Sequence, residues 1–277
     1  MEASLQQGNR TLGNDTKIDL MIMTPCYGGK VDTSYTKSAV LLEAALTELG
    51  VTHDWHFGTN ESLVQRARCE MLGKFMDESE ARVGLWIDAD IEYTPQNVAS
   101  LWNLIAGGAE IAVGIYPMKK PNKDWYAAWV DGKLLKGDAL EALMEPTPVD
   151  YAGTGFMMFT RGAIEKIMDW LELKSLAAQK IRGMIAIDAL NQTAREVFDE
   201  MVEAMSAYYE KDDGKLIPAA FKCPIYNGGL ESEDYHFCRV AREAGIEIML
   251  EPSVRLVHWG QWAYGSYDKL KEGDEHL

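Results

Sequence analysis

The segment VGLWIDADIE, residues 83–92, decides the fold. Its first five residues form a short apolar run without helical gaps, which predicts a buried strand over residues 83–87. The run ends in two aspartates one residue apart, Asp88 and Asp90. Parallel α/β sheets are built from such buried strands alternating with helices, and they bind ligands at the carboxyl ends of their strands. The segment therefore predicts an α/β fold with an acidic site at one edge of the sheet.

Strand and helix patterns alternate on both sides of this segment. Before it, an apolar run is followed by Thr24 and Pro25, and a helical pattern ends at Gly50. After it, Thr94 and Pro95 form a helix start. This alternation predicts a mixed, mainly parallel sheet flanked by helices. The predicted elements are a strand over 17–23, a helix over 33–49, a strand over 51–57, and helices over 62–76 and 94–106, followed by a strand over 111–116.

The second half of the chain is less regular. Its pattern predicts added helices and short strands, with a helical insertion at about 165–215. We expect a single domain over residues 17–277 that follows a flexible polar N-terminus over 1–16. The predicted elements are strands over 126–130 and 155–160, a long helical stretch over 162–209, a helix over 233–244 and strands over 246–250 and 254–257.

Composition excludes several classes of protein. The 277 residues are 47% hydrophobic and carry 43 acids against 27 bases, for a net charge of -16. The apolar fraction argues against disorder, and no apolar run approaches the ~20 residues of a membrane span. The polar N-terminus lacks a secretory core, so we expect a bacterial or host cytoplasmic location. The negative charge disfavours nucleic-acid phosphates, and only the loop over 119–136 offers a basic patch.

Asp88 and Asp90 are the first candidate site. Neighbouring carboxylates repel one another unless a cation compensates them, so a divalent metal is a natural occupant. The alternative is that both are solvated turn residues before a helix. A phosphatase nucleophile is disfavoured, because Glu92 stands where that motif has Thr or Val.

Two further candidate sites follow late in the chain. Asp234 lies at the start of a predicted helix, with Glu233 beside it. It acts either as a general base or only as a carboxylate that the helix dipole stabilises. His258 lies at the end of an apolar strand. It is either a metal ligand or a packing residue. Trp259 and Trp262 follow it, and such aromatic residues stack on sugars or line the edge of a core.

The order of these sites resembles that of nucleotide-sugar glycosyltransferases of the GT-A fold, especially family-2-like enzymes. The resemblance covers about residues 18–265. Seven stretches carry it in family order: MTPCYG at 23–28, QRAR at 65–68, residues 85–95, GIYPMK at 114–119, GTGF at 153–156, EDYHFC at 233–238 and HWG at 258–260.

This resemblance implies a Rossmann-like domain whose residues 17–130 bind the nucleotide sugar and whose residues 131–277 serve the acceptor. Asp90 matches the direct ligand of a divalent cation, Asp88 matches its partner at the metal or the donor ribose, and His258 matches a further ligand. A site that mixes carboxylate and imidazole favours Mn²⁺, with Mg²⁺ as the alternative.

The resemblance also implies a donor site and a mechanism. Arg68 would meet the diphosphate, although Cys69 replaces the family's usual Asn. Asp234 would accept the proton of an acceptor hydroxyl in an inverting displacement. The donor-lining positions are Thr24, Pro25, Tyr27, Arg68, Asp88 and Lys119.

Relatives of this kind include viral and bacterial enzymes, and the implied donor is a nucleotide sugar, above all a UDP-sugar. The implied acceptors are a polysaccharide, a glycan, a protein or a modified nucleobase. Two other functions remain open: a catalytically silent sugar-binding or scaffold protein of this fold, and a nucleotidyltransferase. The second is disfavoured, because residues 28–30 lack that family's glycine-rich, Arg-containing nucleotide loop.

Overall fold

The structure is a computed structural model that describes residues 19–59, 61–120, 125–184, 199, 205–210, 215–260 and 263–264. The predicted flexible N-terminus, residues 1–16, lies outside this range. The described strands are β1 (Leu20–Cys26), β2 (His53–Thr59), β3 (Val83–Ile87), β4 (Ile91–Glu92), β5 (Ile111–Ile115), β6 (Trp125–Val130), β7 (Lys133–Lys136), β8 (Thr147–Val149), β9 (Tyr151–Ala152), β10 (Phe156–Thr160), β11 (Tyr208–Glu210), β12 (Leu216–Pro218), β13 (Ile225–Tyr226), β14 (Gly229–Leu230), β15 (Ile248–Arg255), β16 (Val257–Trp259) and β17 (Ala263–Tyr264).

The described helices alternate with the early strands. None of them combines the length and apolar character that a membrane crossing requires. They are α1 (Thr33–Glu48), α2 (Val64–Asp77), α3 (Pro95–Ala106), α4 (Gly137–Glu141), α5 (Arg161–Met184) and α6 (Glu233–Glu243).

A seven-stranded sheet in the order β2-β1-β3-β10-β5-β15-β8 forms the centre of the fold. The strands β2, β1, β3, β5 and β15 run in one direction, whereas β10 and β8 run against their neighbours. The predicted class, a mixed and mainly parallel sheet flanked by helices, is confirmed.

Helices cover both faces of this sheet because its strands are apolar on both sides. In β3, Trp86 packs into the core beneath α2, α5 and α6, whereas Leu85 and Ile87 pack into the core beneath α1 and α3. All three side chains are buried. The edge where β1 and β3 end therefore has firm support from both layers.

The first strand extends further than its sequence pattern predicts. We expected Thr24 and Pro25 to end it, but β1 continues to Cys26 and pairs with β2 along its whole length. Its pairing with β3 stops at Met23. Pro25 is thus paired only with β2, and a strand with one unpaired side is the kind of position that tolerates proline.

The predicted helix over 162–209 is wrong at its C-terminal end. The helix α5 begins at Arg161 as expected, but Tyr208 and Tyr209 lie in β11, which pairs with β12. Both tyrosines pack against the core that contains α2 and α5. Aromatic residues favour strands, and packing against the core outweighed the helical spacing here.

Candidate functional site

The turn that carries Asp88 and Asp90 leaves β3 at the edge where β1 also ends. Its backbone is fixed on both sides: the amide of Asp88 donates to the carbonyl of Gly155 at 2.8 Å, and the amide of Asp32 donates to the carbonyl of Ala89 at 2.8 Å. Asp32 is the N-cap of α1. The acidic turn is therefore held between the loop after β1 and the start of β10.

Asp90 and His258 face each other across a small sheet. Strand β16 pairs with β4, which places His258 opposite Ile91. The amide of Trp259 also donates to the carbonyl of Asp90 at 2.8 Å. As a result, Nε2 of His258 lies 3.4 Å from Oδ1 of Asp90. Two of the three predicted metal ligands thus converge on one point.

The backbone around Pro117 sets the orientation of the His258 ring. Nδ1 of His258 lies 2.9 Å from the Pro117 carbonyl oxygen, which can only accept, so Nδ1 carries a proton. The other ring nitrogen, Nε2, then faces Asp90. This arrangement is the one in which a histidine binds a metal while its other nitrogen donates to a carbonyl.

Lys119 occupies the other oxygen of Asp90. Its Nζ contacts Oδ2, and both side chains are 37% exposed. Burial alone would raise the pKa of Asp90, but the hydrogen bonds from His258 and Lys119 lower it below the ordinary value. Asp90 is therefore held as a carboxylate between two basic groups.

Asp88 is held by a buried arginine. Nη2 of Arg68 lies 2.6 Å from Oδ1 of Asp88, and the Arg68 side chain is 2% exposed. Its guanidinium lies over the rings of Trp86 and Phe221. Burial disfavours the charged form of Arg68 and by itself would lower its pKa. The negative charges of Asp88 and then Glu233 outweigh this effect and raise the pKa above its ordinary value. The predicted contact of Arg68 with a diphosphate stays a prediction, since Asp88 is the group it contacts here.

A metal ion at this point stays a prediction. Among the described residues, no three His, Cys, Asp or Glu side chains form a metal-binding cluster. Asp90 and His258 nevertheless supply one carboxylate and one imidazole. Divalent cations at phosphate-transfer sites often take one or two protein ligands and complete their shell with substrate phosphates and water. The pair fits a cation that is bound together with a diphosphate.

Gly155 makes room for this arrangement. A Cβ atom at this position would lie 2.7 Å from Oδ2 of Asp88 and 2.8 Å from the hydroxyl of Tyr116. The amide of Gly155 donates to that hydroxyl at 3.0 Å. The Tyr116 ring in turn meets the His258 ring edge to face. Tyr116 thus joins the two halves of the site, a role that sequence reasoning missed although Tyr116 lies in a quoted motif.

The N-terminus of α6 brings Glu233 and Asp234 toward the same region. The negative charge of Glu233 raises the pKa of Arg68. Burial is the main cause that raises the pKa of Glu233 itself, and the charge of Asp234 raises it further. Oδ1 of Asp234 contacts the Ser232 hydroxyl and accepts from the amide of Tyr235 at 2.8 Å. One oxygen of Asp234 is thus used to fix the carboxylate at the helix start.

The other predicted residues are placed as follows. Thr24 is buried and its hydroxyl lies 2.6 Å from that of Tyr35, whereas Tyr27 is 75% exposed in the single turn after β1. Trp259 is half-buried, and its indole donates to Glu92 at 2.9 Å. Trp262 lies outside the described residues. Donor contacts by Thr24, Pro25 and Tyr27, and sugar stacking by the two tryptophans, stay predictions.

No protein-family model and no curated protein matches this chain. Among solved structures it is similar to A197 from STIV, with 11% identity, 94% of this chain and 96% of the other covered, and a TM-score of 0.48. It is also similar to a glycosyltransferase involved in glycosylation of the major capsid of PBCV-1, with 14% identity, 53% and 62% covered, and a TM-score of 0.29.

A third similarity is to the 4-diphosphocytidyl-2C-methyl-D-erythritol synthase of Anaerococcus prevotii DSM 20548. The identity is 7%, the coverage is 67% of this chain and 82% of the other, and the TM-score is 0.30. All three likenesses are weak, so the case for a function rests on the residues of the site.

Proposed function

We propose that this protein is a glycosyltransferase that moves a sugar from a nucleoside diphosphate donor, above all a UDP-sugar, to a hydroxyl acceptor. The observation that carries the proposal is the convergence of Asp90 and His258, at 3.4 Å, beside the buried ion pair of Arg68 and Asp88. Carboxylate, imidazole and lysine groups gathered at the carboxyl edge of a parallel sheet suit a metal-bound diphosphate.

Asp90 and His258 would hold the cation, and their mixed oxygen and nitrogen set favours Mn²⁺ over Mg²⁺. When bound, a divalent cation neutralises the negative charge that develops on a leaving diphosphate. Asp88, kept in place by Arg68, would orient the donor ribose or support the metal. Lys119 would add a second positive charge on the phosphates.

The residue that would act on the acceptor hydroxyl is a general base, Asp234. Asp234 would accept the proton of the acceptor hydroxyl while the hydroxyl oxygen attacks the anomeric carbon and the diphosphate leaves with the bonding electrons. A single displacement of this kind inverts the anomeric centre. Glu233, whose pKa is raised by burial and by Asp234, stands beside it as the second carboxylate.

The direct test is a screen of UDP-, GDP- and TDP-sugars for hydrolysis or transfer, with and without Mn²⁺. We expect turnover of one donor class that requires the cation and is lost in Asp90→Asn. The matched control is Asp131→Asn, because Asp131 is an exposed turn residue at φ 50°, a conformation that Asn tolerates. Turnover that persists without cation, or in Asp90→Asn, would contradict the proposal.

The same screen separates the two alternative functions. A silent sugar-binding protein would bind a donor or glycan without turnover and would depend on Trp259 rather than on Asp90. A nucleotidyltransferase would join the nucleotide of a nucleoside triphosphate to a sugar phosphate and release pyrophosphate. Either result would replace the glycosyltransferase assignment.

A further inference from the structure

Lys119 occupies the place on Asp90 that a divalent cation needs. Oδ1 of Asp90 faces His258 and Oδ2 contacts the ammonium of Lys119. Both oxygens of the one carboxylate are thus already paired with a basic group. A metal ion bound between Asp90 and His258 would have to share this carboxylate with an ammonium group of the same sign.

The backbone keeps Lys119 close to this position. The amide of Met118 donates to the carbonyl of Trp125 at 2.7 Å, and Pro117 forms a bridge with Tyr126. The carbonyl of Pro117 is also the group that orients His258. One short segment, residues 117–119, therefore sets the imidazole for metal binding and places the competing ammonium on the carboxylate.

We infer that Lys119 is an internal competitor for the metal site, and that its displacement couples cation binding to diphosphate binding. Like charges in contact repel, so an entering cation moves the ammonium away from Asp90. The side chain of Lys119 is long and partly exposed, and it can swing while its backbone stays fixed. The released ammonium remains at the edge where the diphosphate binds.

This exchange has a thermodynamic consequence. Metal binding alone must break the Lys119 contact, whereas a diphosphate offers the ammonium a new anionic partner. The diphosphate therefore strengthens metal binding, and by reciprocity the metal strengthens diphosphate binding to the same degree. Lys119 thus weakens the binding of a free cation, whereas a cation that arrives with the donor binds more strongly.

The inference rests on the proposed function and is tested by metal binding rather than turnover. Free Mn²⁺ is measured by electron paramagnetic resonance during titration of the donor-free protein and its variants. We expect Lys119→Met to bind Mn²⁺ roughly tenfold more tightly than the wild type, within the usual range of coupling between sites. The matched control is Lys120→Met, because Lys120 lies over Trp125 and makes no contact with Asp90.

A second series adds UDP as the diphosphate probe. In the wild type, UDP should tighten Mn²⁺ binding by about tenfold or more, and in Lys119→Met this effect should shrink several-fold. Lys119→Gln should behave like Lys119→Met, which excludes an effect of the apolar replacement. Circular dichroism of each variant checks that it is folded.

Each outcome has a distinct meaning. If wild type and Lys119→Met bind Mn²⁺ equally at a site that Asp90→Asn abolishes, the competitor role is wrong and the metal site stands. If Lys119→Met binds more weakly, the inference is also overturned. If no variant binds Mn²⁺ with or without UDP, the metal centre of the proposed function fails, and the inference fails with it.

Discussion

Arg68 is buried behind Asp88, and its Nη2 donates to Oδ1 of that residue at 2.6 Å. Within the described structure, Nε and Nη1 of Arg68 are buried and have no hydrogen-bond partner. A buried charge is costly unless it is paired. The position of Asp88 therefore depends on Arg68, and the stability of a charged Arg68 depends on Asp88.

We expect Asp88→Asn to destabilise the protein more than Arg68→Met does. The first change leaves a buried guanidinium without its main counter-charge, and losses of this kind are about 3 kcal/mol. The second places an apolar side chain against Trp86 and Phe221, and its cost should stay near or below about 1 kcal/mol. Urea unfolding of both variants measures the difference, and the reverse order would show that Asp88 does not balance Arg68.

Gly155→Ala should impair the site, because the new Cβ would lie 2.7 Å from Oδ2 of Asp88 and 2.8 Å from the Tyr116 hydroxyl. We expect donor turnover, where present, to fall at least about tenfold, as small displacements of catalytic groups do. Gly162→Ala is the control, since its Cβ meets nothing within 4 Å at the start of α5. That variant should keep its activity and gain up to about 1 kcal/mol.

Arg161 should be a stability residue with no role in the site. Its guanidinium donates to the carbonyls of Phe75, Met76, Ser79 and Ala81, between 2.5 and 3.1 Å, and so satisfies the C-terminal end of α2 and the loop after it. A lysine cannot reach this many acceptors in one plane.

Arg161→Lys should therefore lower the free energy of unfolding by about 2 kcal/mol. Lys166→Gln, which breaks an exposed pair with Glu110, should change it by less than about 1 kcal/mol. Urea denaturation of the two variants compares them, and equal losses would mean that these carbonyls find other donors.

His236 should make stability depend on pH between neutrality and pH 5. Burial lowers the pKa of His236 to about 4, whereas an unfolded histidine titrates near 6.5. The unfolded chain therefore takes up a proton first as the pH falls. Stability is fully present above pH 6.5 and declines toward pH 4.

Between pH 7 and pH 5 the wild type should lose about 2 kcal/mol more than His236→Gln. Urea unfolding at both pH values tests this, and this window lies above the range in which most carboxylates titrate. Equal losses in the two proteins would mean that His236 binds a proton as readily when folded as when unfolded.

Much of the fold was readable from local patterns. The bounds of β3 agree with the prediction, and those of α1, α3 and α6 agree to within one residue. Thr94 caps α3 as expected, with its hydroxyl accepting from the amide of Asn97. Predictions failed at Pro25 and at the pair Tyr208 and Tyr209, where the outcome depended on which neighbouring element was present to pair or pack. The two strands predicted over 246–250 and 254–257 are also wrong, because Ile248–Arg255 is one continuous strand and Val257–Trp259 is the next.

The sequence indicated candidate site residues but not the contacts between them. The strand ends and helix starts indicated Asp88, Asp90, Asp234 and His258. The sequence did not indicate that Arg68 would be buried on Asp88, 20 residues away, or that Lys119 would take an oxygen of Asp90.

The sequence by itself determined the alternation of strands and helices and the acidic ends of the strands. These follow from backbone periodicity and from the burial of apolar side chains, both of which are local in the chain. Only the tertiary structure decided which basic group meets which carboxylate. That choice depends on strand order and register, because pairing β16 with β4 brings His258 to Asp90 from the far end of the chain.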